Sequence, residues 1–379
     1  MVTRRDVARR AGTSEAVVSY VLNDGPRNVA PSTRERVLAA ITELGYRPNA
    51  VARSLRSNRT TTIGLVVPDN ANPFFAELAR EIEDVAFEHG HTLLLANARD
   101  DEEREVAQVR TLVDRQVDGL ILIPSHGPGA WRAELAHARI PCLVVDREIE
   151  GTNAVQVLVD NEGGAAAAVR HLIGHGRTRI GCVAGPDGFH PTVDRVNGWR
   201  RALAEGGLDP AAMPVEHAPF GRAAAYRAGW RLLAAHRDVD ALFVTSDEQA
   251  IGVLRAAAEL GIAVPDDLAV FAFDGIAASA YTIPSLSTMR QPFEALGRTV
   301  VEMLLARRAP GSERSADALS QTSADAVPER IVLETELVAR GSCGCADPAG
   351  GEHGIDPVQD ERVQDEPALD EGRGGPTHE

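Results

Sequence analysis

At 379 residues, with 44% hydrophobic and 25% charged side chains, the chain has room for two or three domains with ordinary cores. No apolar run approaches the roughly 18 residues of a membrane span, and no apolar stretch follows the basic start "MVTRRDVARR", so a membrane or exported protein is not expected and a cytoplasmic one is. A net charge of −16 argues against a protein that wraps nucleic acid over its whole surface.

The charge is unevenly placed. Residues 1–60 hold eleven arginines against five acids, net +6, while residues 346–379 hold ten acids against two arginines, net −8. All 39 basic residues are arginine. A small basic head on an acidic body suits a protein that meets an anionic polymer with one domain only.

Within residues 1–46 three short helices are predicted. The first places Val7, Ala8 and Ala11 on one face and ends at Gly12, which tolerates the positive φ of a tight turn. The second starts after Ser14, a good N-cap, with Val17, Val18, Val21 and Leu22 inward. The third starts near Pro31-Ser32 and carries Val37, Leu38, Ile41 and Leu44 to Gly45. The tight turn between the first two matches a helix-turn-helix. Residues 47–60, "RPNAVARSLRSNRT", form a linker with one further short helix, marginal unless DNA or a second copy orders it.

From Thr62 strands and helices alternate. "TIGLVV", "TLLLA", "GLILI", "CLVV", "AVQVLV", "IGCVAG", "ALFVT" and "LAVFAF" read as buried strands, with amphipathic helices between them. This stretch exceeds the usual span of one sheet, so two doubly wound α/β lobes are expected, with ligand bound between them at strand carboxyl ends. Residues 309–328 form a polar insertion before the strand "RIVLETELVA", and residues 343–379 an acidic tail; both are expected to be disordered. Four cysteines and no export signal suit a reducing compartment. Cys343-Gly-Cys345 with His353 is the nearest approach to a metal ligand set. Incidental thiols are the expected reading, and no metal or cofactor is expected.

"TRRDVARRAGTSEAVVSYVLN" and "VAPSTRERVLAAITELGYRPNAVARSLRSNRTTTIGLVVPDNANPFFAEL" resemble the LacI/GalR family of transcription regulators. The resemblance continues through "VDGLILIP", "VVDR", "VDNEGGA", "HLIGHGRTRIGCVAGP", "DRVNGWRRAL", "TSDEQAIGVLRAA", "FAFDGI" and "LETELVARGS", about residues 3 to 342. It implies an N-terminal all-α helix-turn-helix head (1–46), a hinge (47–60) and a periplasmic-binding-protein type I-like ligand-binding and dimerisation core (61–342). It also implies a homodimer that represses from a pseudo-palindromic operator, with a small effector altering DNA affinity.

Residue by residue, the resemblance puts base reading on Glu15, Ala16 and Tyr20. Phosphate or adjacent contacts fall on Thr3, Ser14, Ser19, Asn23, Thr33, Tyr46 and Asn49. Ala52 and Leu55 fall on the hinge, Leu55 as the wedge between base steps. Tyr20 departs from the arginine common there; it offers one hydroxyl and an apolar ring instead of a bidentate grip on guanine. The implied ligand-binding residues are Phe74, Phe75, Asp146, Arg147, Arg195, Phe220, Ser246, Asp247 and Asp274. Acids and guanidinium groups at strand ends suit paired hydrogen bonds to hydroxyls, which favours a sugar effector. A purine or nucleoside corepressor is the alternative. An enzyme is not expected, since no dinucleotide fingerprint, P-loop or nucleophile elbow is present. A transport solute-binding protein would lack the basic head.

Overall fold

The structure is a computed structural model and describes residues 2–23, 28–47, 59–125, 129–138, 140–149, 154–307 and 330–346. Asn49, Ala52, Leu55, the segment 309–328 and His353 lie outside the described residues.

Three helices make the head: α1 (Arg4–Ala11), α2 (Glu15–Asn23) and α3 (Pro31–Leu44). Thr3 caps α1 in a reciprocal box, its hydroxyl 3.3 Å from the Asp6 amide and the Asp6 carboxylate 3.0 Å from the Thr3 amide. Gly12 ends α1 at φ 64°, which lets α2 turn back at once. Val7, Ala8, Ala11, Val18, Val21, Val37, Ala40 and Tyr46 form the core of the head. Leu38 departs from the inward face predicted for it, standing 47% exposed, while Ala40 takes the buried position. Val37 and Ala40, three residues apart, share the buried face, and Leu38 lies about 100° round the helix from Val37 and outside it.

Two six-stranded sheets follow. The first runs in the order β11-β5-β4-β3-β1-β2, all parallel: β1 (Thr62–Val67), β2 (Thr92–Asn97), β3 (Gly119–Leu122), β4 (Cys142–Val145), β5 (Val155–Val159) and β11 (Arg330–Leu333). The second runs β12-β10-β9-β8-β6-β7, with β6 (Ile180–Ala184), β7 (Val215–His217), β8 (Ala241–Val244), β9 (Ala269–Asp274), β10 (Ser287–Arg290) and an antiparallel edge, β12 (Glu336–Val338). The central strands are buried along their whole length, so their sequences are continuous apolar runs.

Helices cover both faces of each sheet. In the first lobe α4 (Pro73–Glu88) and α11 (Phe293–Arg307) enclose one core, and α5 (Glu102–Asp114) and α6 (Trp131–Ala138) the other. In the second lobe α7 (Asn161–Gly174) and α8 (His190–Glu205) pack on one face, and α9 (Arg222–Ala235) and α10 (Asp247–Glu259) on the other. Trp199 is fully buried, and its indole N–H donates to the Ile180 carbonyl at 3.2 Å. No described helix is long and apolar enough to cross a membrane.

The chain passes between lobes three times: from β5 to α7, from β10 to α11, and from β11 to β12. The last passage corrects the single strand predicted over "RIVLETELVA". Its first half pairs with β5 in one lobe and its second with β10 in the other. The first and third passages touch: the Asp160 amide donates to the Leu333 carbonyl at 2.9 Å.

Candidate ligand cleft and nucleic-acid interface

On the head, Ser14 before α2 and Glu15 and Ala16 in its first turn are exposed, and Ser19 and Tyr20 partly so. Ser14 caps the helix by accepting from the Val17 amide at 3.3 Å. Asn23 closes α2. Thr3 is exposed beside Asp6, and Thr33, in the first turn of α3, accepts from Arg36 at 3.3 Å. Tyr46 is different: its side chain is 8% exposed and belongs to the core of the head, so packing accounts for the ring. The basic charge flanks α2 rather than lying on it. Arg9 pairs with Asp6 and Arg10 with Glu43, each at 2.6 Å. Long-range phosphate attraction needs no arginine on the reading helix itself.

In the core, strand ends from both lobes converge. Asp146 follows β4 and Asp274 ends β9, and both have positive φ, 68° and 118°. Positive φ is uncommon outside glycine, and here it sets two aspartates at strand ends of different lobes. Arg195, on α8, is 3% exposed. Its Nε donates to Asn161 at 2.8 Å, and Nη1 donates to the Thr245 carbonyl at 2.6 Å and to Asp274 at 3.1 Å. The Phe273 ring lies 3.9 Å beneath its guanidinium carbon. Gln291 donates a further bond to Asp274 at 2.9 Å.

Burial pushes the Asp274 carboxyl up to about 7 against the pull of Arg195, helped by the like charges of Asp247 and Asp146. Burial likewise raises Asp146, with Arg147 and Arg195 opposing. Arg147 is lowered to about 10 by burial. It donates to the Pro124 carbonyl and lies 4.1 Å over the Phe189 ring. Its Nε is buried with no hydrogen-bond partner, the Asp146 carboxylate standing 3.8 Å away. Ser125 Oγ and Thr192 Oγ1 are also buried and unpartnered. Buried polar atoms are rarely left so, and Arg147, Ser125 and Thr192 lie on the loops and first helical turn that follow strand carboxyl ends. Phe220 is half-buried with its ring 6.1 Å from Phe189, edge to face.

Four other expected ligand residues have partners inside the protein. Phe74 and Phe75 are both buried in the first lobe's core, 5.1 Å apart, with Phe293 5.5 Å from Phe74. Ser246 caps α10 and accepts from the Gln249 amide at 3.2 Å. Asp247 accepts four bonds, from the Gly275 and Ile276 amides (2.8 and 2.9 Å) and from the hydroxyls of Ser279 and Thr288 (2.7 and 2.6 Å). It ties α10 to β10 and to the segment whose Ile276 packs into the first lobe. In this structure its carboxylate holds α10, the turn after β9 and β10 together.

Sequence reading did not single out Ser125, Phe189, Thr192, Thr245 or Gln291. Each is an ordinary residue type in a loop or first helical turn, and only the fold brings it to the cleft. Nor did it find the cleft's outer bridge. Glu148, after β4, meets Arg330 at 2.8 Å and His190, from the opposite lobe, at 3.1 Å. A hydrogen bond to Asp194 raises His190 above its usual value, with Asp194 and Glu148 charge adding to it against burial. A histidine raised on folding contributes stability that is complete below its unfolded value and is lost as pH rises through the folded one. The core is therefore expected to lose stability as pH climbs above 6.5. His190→Ala should flatten that part of the profile. A calorimetric pH series reads the effect, and equal slopes in parent and variant would remove the bridge.

Comparison with known proteins places these features. Residues 3–49 match the model for bacterial regulatory proteins of the lacI family, and residues 169–343 that for a periplasmic binding protein-like domain. The ribose operon repressor of Halalkalibacterium halodurans is 38% identical over 305 residues, covering 80% of this chain and 90% of that protein. The HTH-type transcriptional repressor PurR of Aliivibrio salmonicida is 34% identical over 308 residues, covering 81% and 92%. The Lac repressor dimer bound to operator and the anti-inducer ONPF aligns with a TM-score of 0.77 at 26% identity, over 90% of this chain and 99% of that one.

Proposed function

This chain belongs to the LacI family of bacterial regulatory proteins as a ligand-responsive DNA-binding repressor, and from that premise we propose that it is a homodimer released from a pseudo-palindromic operator by a sugar or sugar derivative. The observation that carries the sugar reading is the convergence of Asp146, Arg147, Arg195 and Asp274 from both lobes beside aromatic rings. Carboxylates and guanidinium groups bracket vicinal hydroxyls with paired bonds, and ring faces cover the apolar C–H side of a sugar. The ribose operon repressor is a relative whose name fits this chemistry.

A ligand can shift operator affinity only through its differential affinity for two arrangements of the protein. The cleft supplies the means, because its polar groups come from both lobes. Closing the lobes on a ligand alters the interlobe contacts of Glu77, whose carboxylate accepts from the Ala277 amide at 3.0 Å, and of Glu148 with His190. Tyr281 and Ile283, 66% and 96% exposed, are the apolar surface we assign to the partner copy. Residues 1–46 form the DNA-binding head in this reading, 47–60 the hinge and 61–342 the effector-binding core. The cleft binds and does not catalyse; chemical turnover of a bound sugar would contradict that assignment.

Calorimetric titration of the intact protein against a panel of sugars and purines tests the effector class. Tight purine binding without sugar binding would reject the sugar reading. Operator binding has its own test. Tyr20 stands on the exposed side of α2, so Tyr20→Ala should weaken specific operator binding about tenfold while leaving non-specific DNA affinity unchanged. A mobility-shift titration against specific and scrambled duplexes measures both, and an equal loss on both would deny Tyr20 a base-reading role.

A further inference from the structure

His171 and His175 lie one helical turn apart at the end of α7, and 172 residues separate His171 from Cys343 in sequence. The fold brings them together with Cys345. The His171 Nε2 lies 3.3 Å from the Cys343 sulfur and 3.5 Å from the Cys345 sulfur, and the His175 Nε2 lies 3.4 Å from the Cys345 sulfur. One donor atom from each of the four residues falls within 4.8 Å of all the others. Among the described residues this is the one such group of three or more histidine, cysteine or acidic side chains. We propose that His171, His175, Cys343 and Cys345 form a tetrahedral site for a zinc-class divalent cation.

The geometry is close to what such an ion requires. Zinc bonds of about 2.3 Å to sulfur and about 2.0–2.1 Å to nitrogen set tetrahedral neighbours about 3.5 Å apart. The three nitrogen–sulfur separations given above sit at that distance, and the remaining pairs, all within 4.8 Å, need only close onto the ion. Two thiolates and two imidazoles select a borderline-soft cation and disfavour magnesium or calcium, which require oxygen. Four protein ligands leave no open position, as in structural sites.

Local structure explains the convergence. Residues i and i+4 of a helix share a face, which aligns the two imidazoles. A short 3-10 turn, Gly341–Cys343, then buries Cys343 against the second lobe's core. Gly344 follows at φ 93°, a conformation that reverses the chain and turns Cys345 back toward the same histidines. His171 also packs edge-on against Phe271, centroids 5.4 Å apart, which fixes its ring. The Cys343 thiol donates to the Arg340 carbonyl at 3.3 Å. Loading the site releases both thiol protons to solvent and replaces that bond with a metal–sulfur bond.

The consequence is mechanical. The ion fastens the segment after β12 to α7 and closes a very long loop, about 15 Å along the helix from Asn161 and the cleft. It should therefore act on stability and not on effector contact. This replaces the expectation that Cys343 and Cys345 are incidental thiols; His353 is not needed.

The test uses the full-length protein, stripped with chelator and kept reduced. Zinc is titrated in competition with a chromogenic chelator, and cobalt(II) is added separately as a spectroscopic probe. One equivalent of zinc per chain is expected, with a rise in the thermal midpoint. Cobalt should give intense tetrahedral bands and a thiolate charge-transfer band. Cys345→Ser and His175→Ala should each weaken uptake at least 100-fold and abolish the zinc-dependent rise, with effector affinity unchanged. His175 is exposed, so its variant should fold, as circular dichroism can verify. No stoichiometric zinc uptake by the parent, unchanged uptake in both variants, or cobalt binding without the thiolate band would each overturn the site.

Discussion

Arg195→Leu is expected to abolish the effector response while leaving operator binding in place. Arg195 is the one side chain that joins Asn161, Thr245 and Asp274, each from a separate segment of the second lobe. In a closed cleft its guanidinium group is the natural donor to ligand hydroxyls. Losing a buried charged partner of this kind costs binding about 2–4 kcal/mol, or about 30- to 1,000-fold in affinity. The head makes no use of Arg195, so operator affinity without effector should stay within about threefold of the parent.

The same substitution has a pH signature. Arg195 opposes the upward push of burial on Asp274, which already stands at about 7. Without Arg195 the carboxyl rises further and is neutral at neutral pH, which limits the cost of leaving it buried. A carboxyl raised on folding contributes stability that is complete below its unfolded value of 3.8 and is lost as pH rises through the folded one. The variant should therefore fall further behind the parent in stability at pH 9 than at pH 6. Denaturant melts at both values read the difference. A gap that narrowed with rising pH would contradict the Arg195–Asp274 pairing.

Asp247→Ala should give the largest loss of stability in the core. The substitution leaves two backbone amides and two hydroxyls without an acceptor, in a position with no exposure to water. The expected cost is about 3–5 kcal/mol, which for a core of this size lowers the melting temperature by about 10 °C. Asp247→Asn keeps the shape and one acceptor oxygen but points an N–H₂ group at a donor. It should lose about half as much. Differential scanning calorimetry measures both. A change under about 2 °C for the alanine variant would mean that Asp247 does not hold α10 to the turn after β9.

The alternation of apolar strands and amphipathic helices made the two-lobed core legible, because parallel strands buried on both faces are continuous hydrophobic runs. The short edge strand Val215–His217 and the strand Ser287–Arg290 carried no such signal. "RIVLETELVA" reads as one strand because periodicity reports burial and says nothing of which sheet does the burying. In the cleft, charged residues at strand ends were visible for the same reason that they matter: an acid after an apolar run stands out. Asp247 stands out equally, yet its carboxylate is saturated within the protein. Only the geometry shows which carboxylate is saturated within the fold. The His171–Cys345 cluster was split across two distant segments, so spacing along the chain hid it.

The most direct measurement is operator affinity by fluorescence anisotropy, with and without the sugar that binds most tightly in calorimetry, for the parent and for Arg195→Leu. A cleft-bound effector that releases DNA predicts at least a tenfold loss of operator affinity in the parent and none in the variant at the same sugar concentration. Unchanged or tighter operator binding by the liganded parent, or an equal response in the variant, would contradict it.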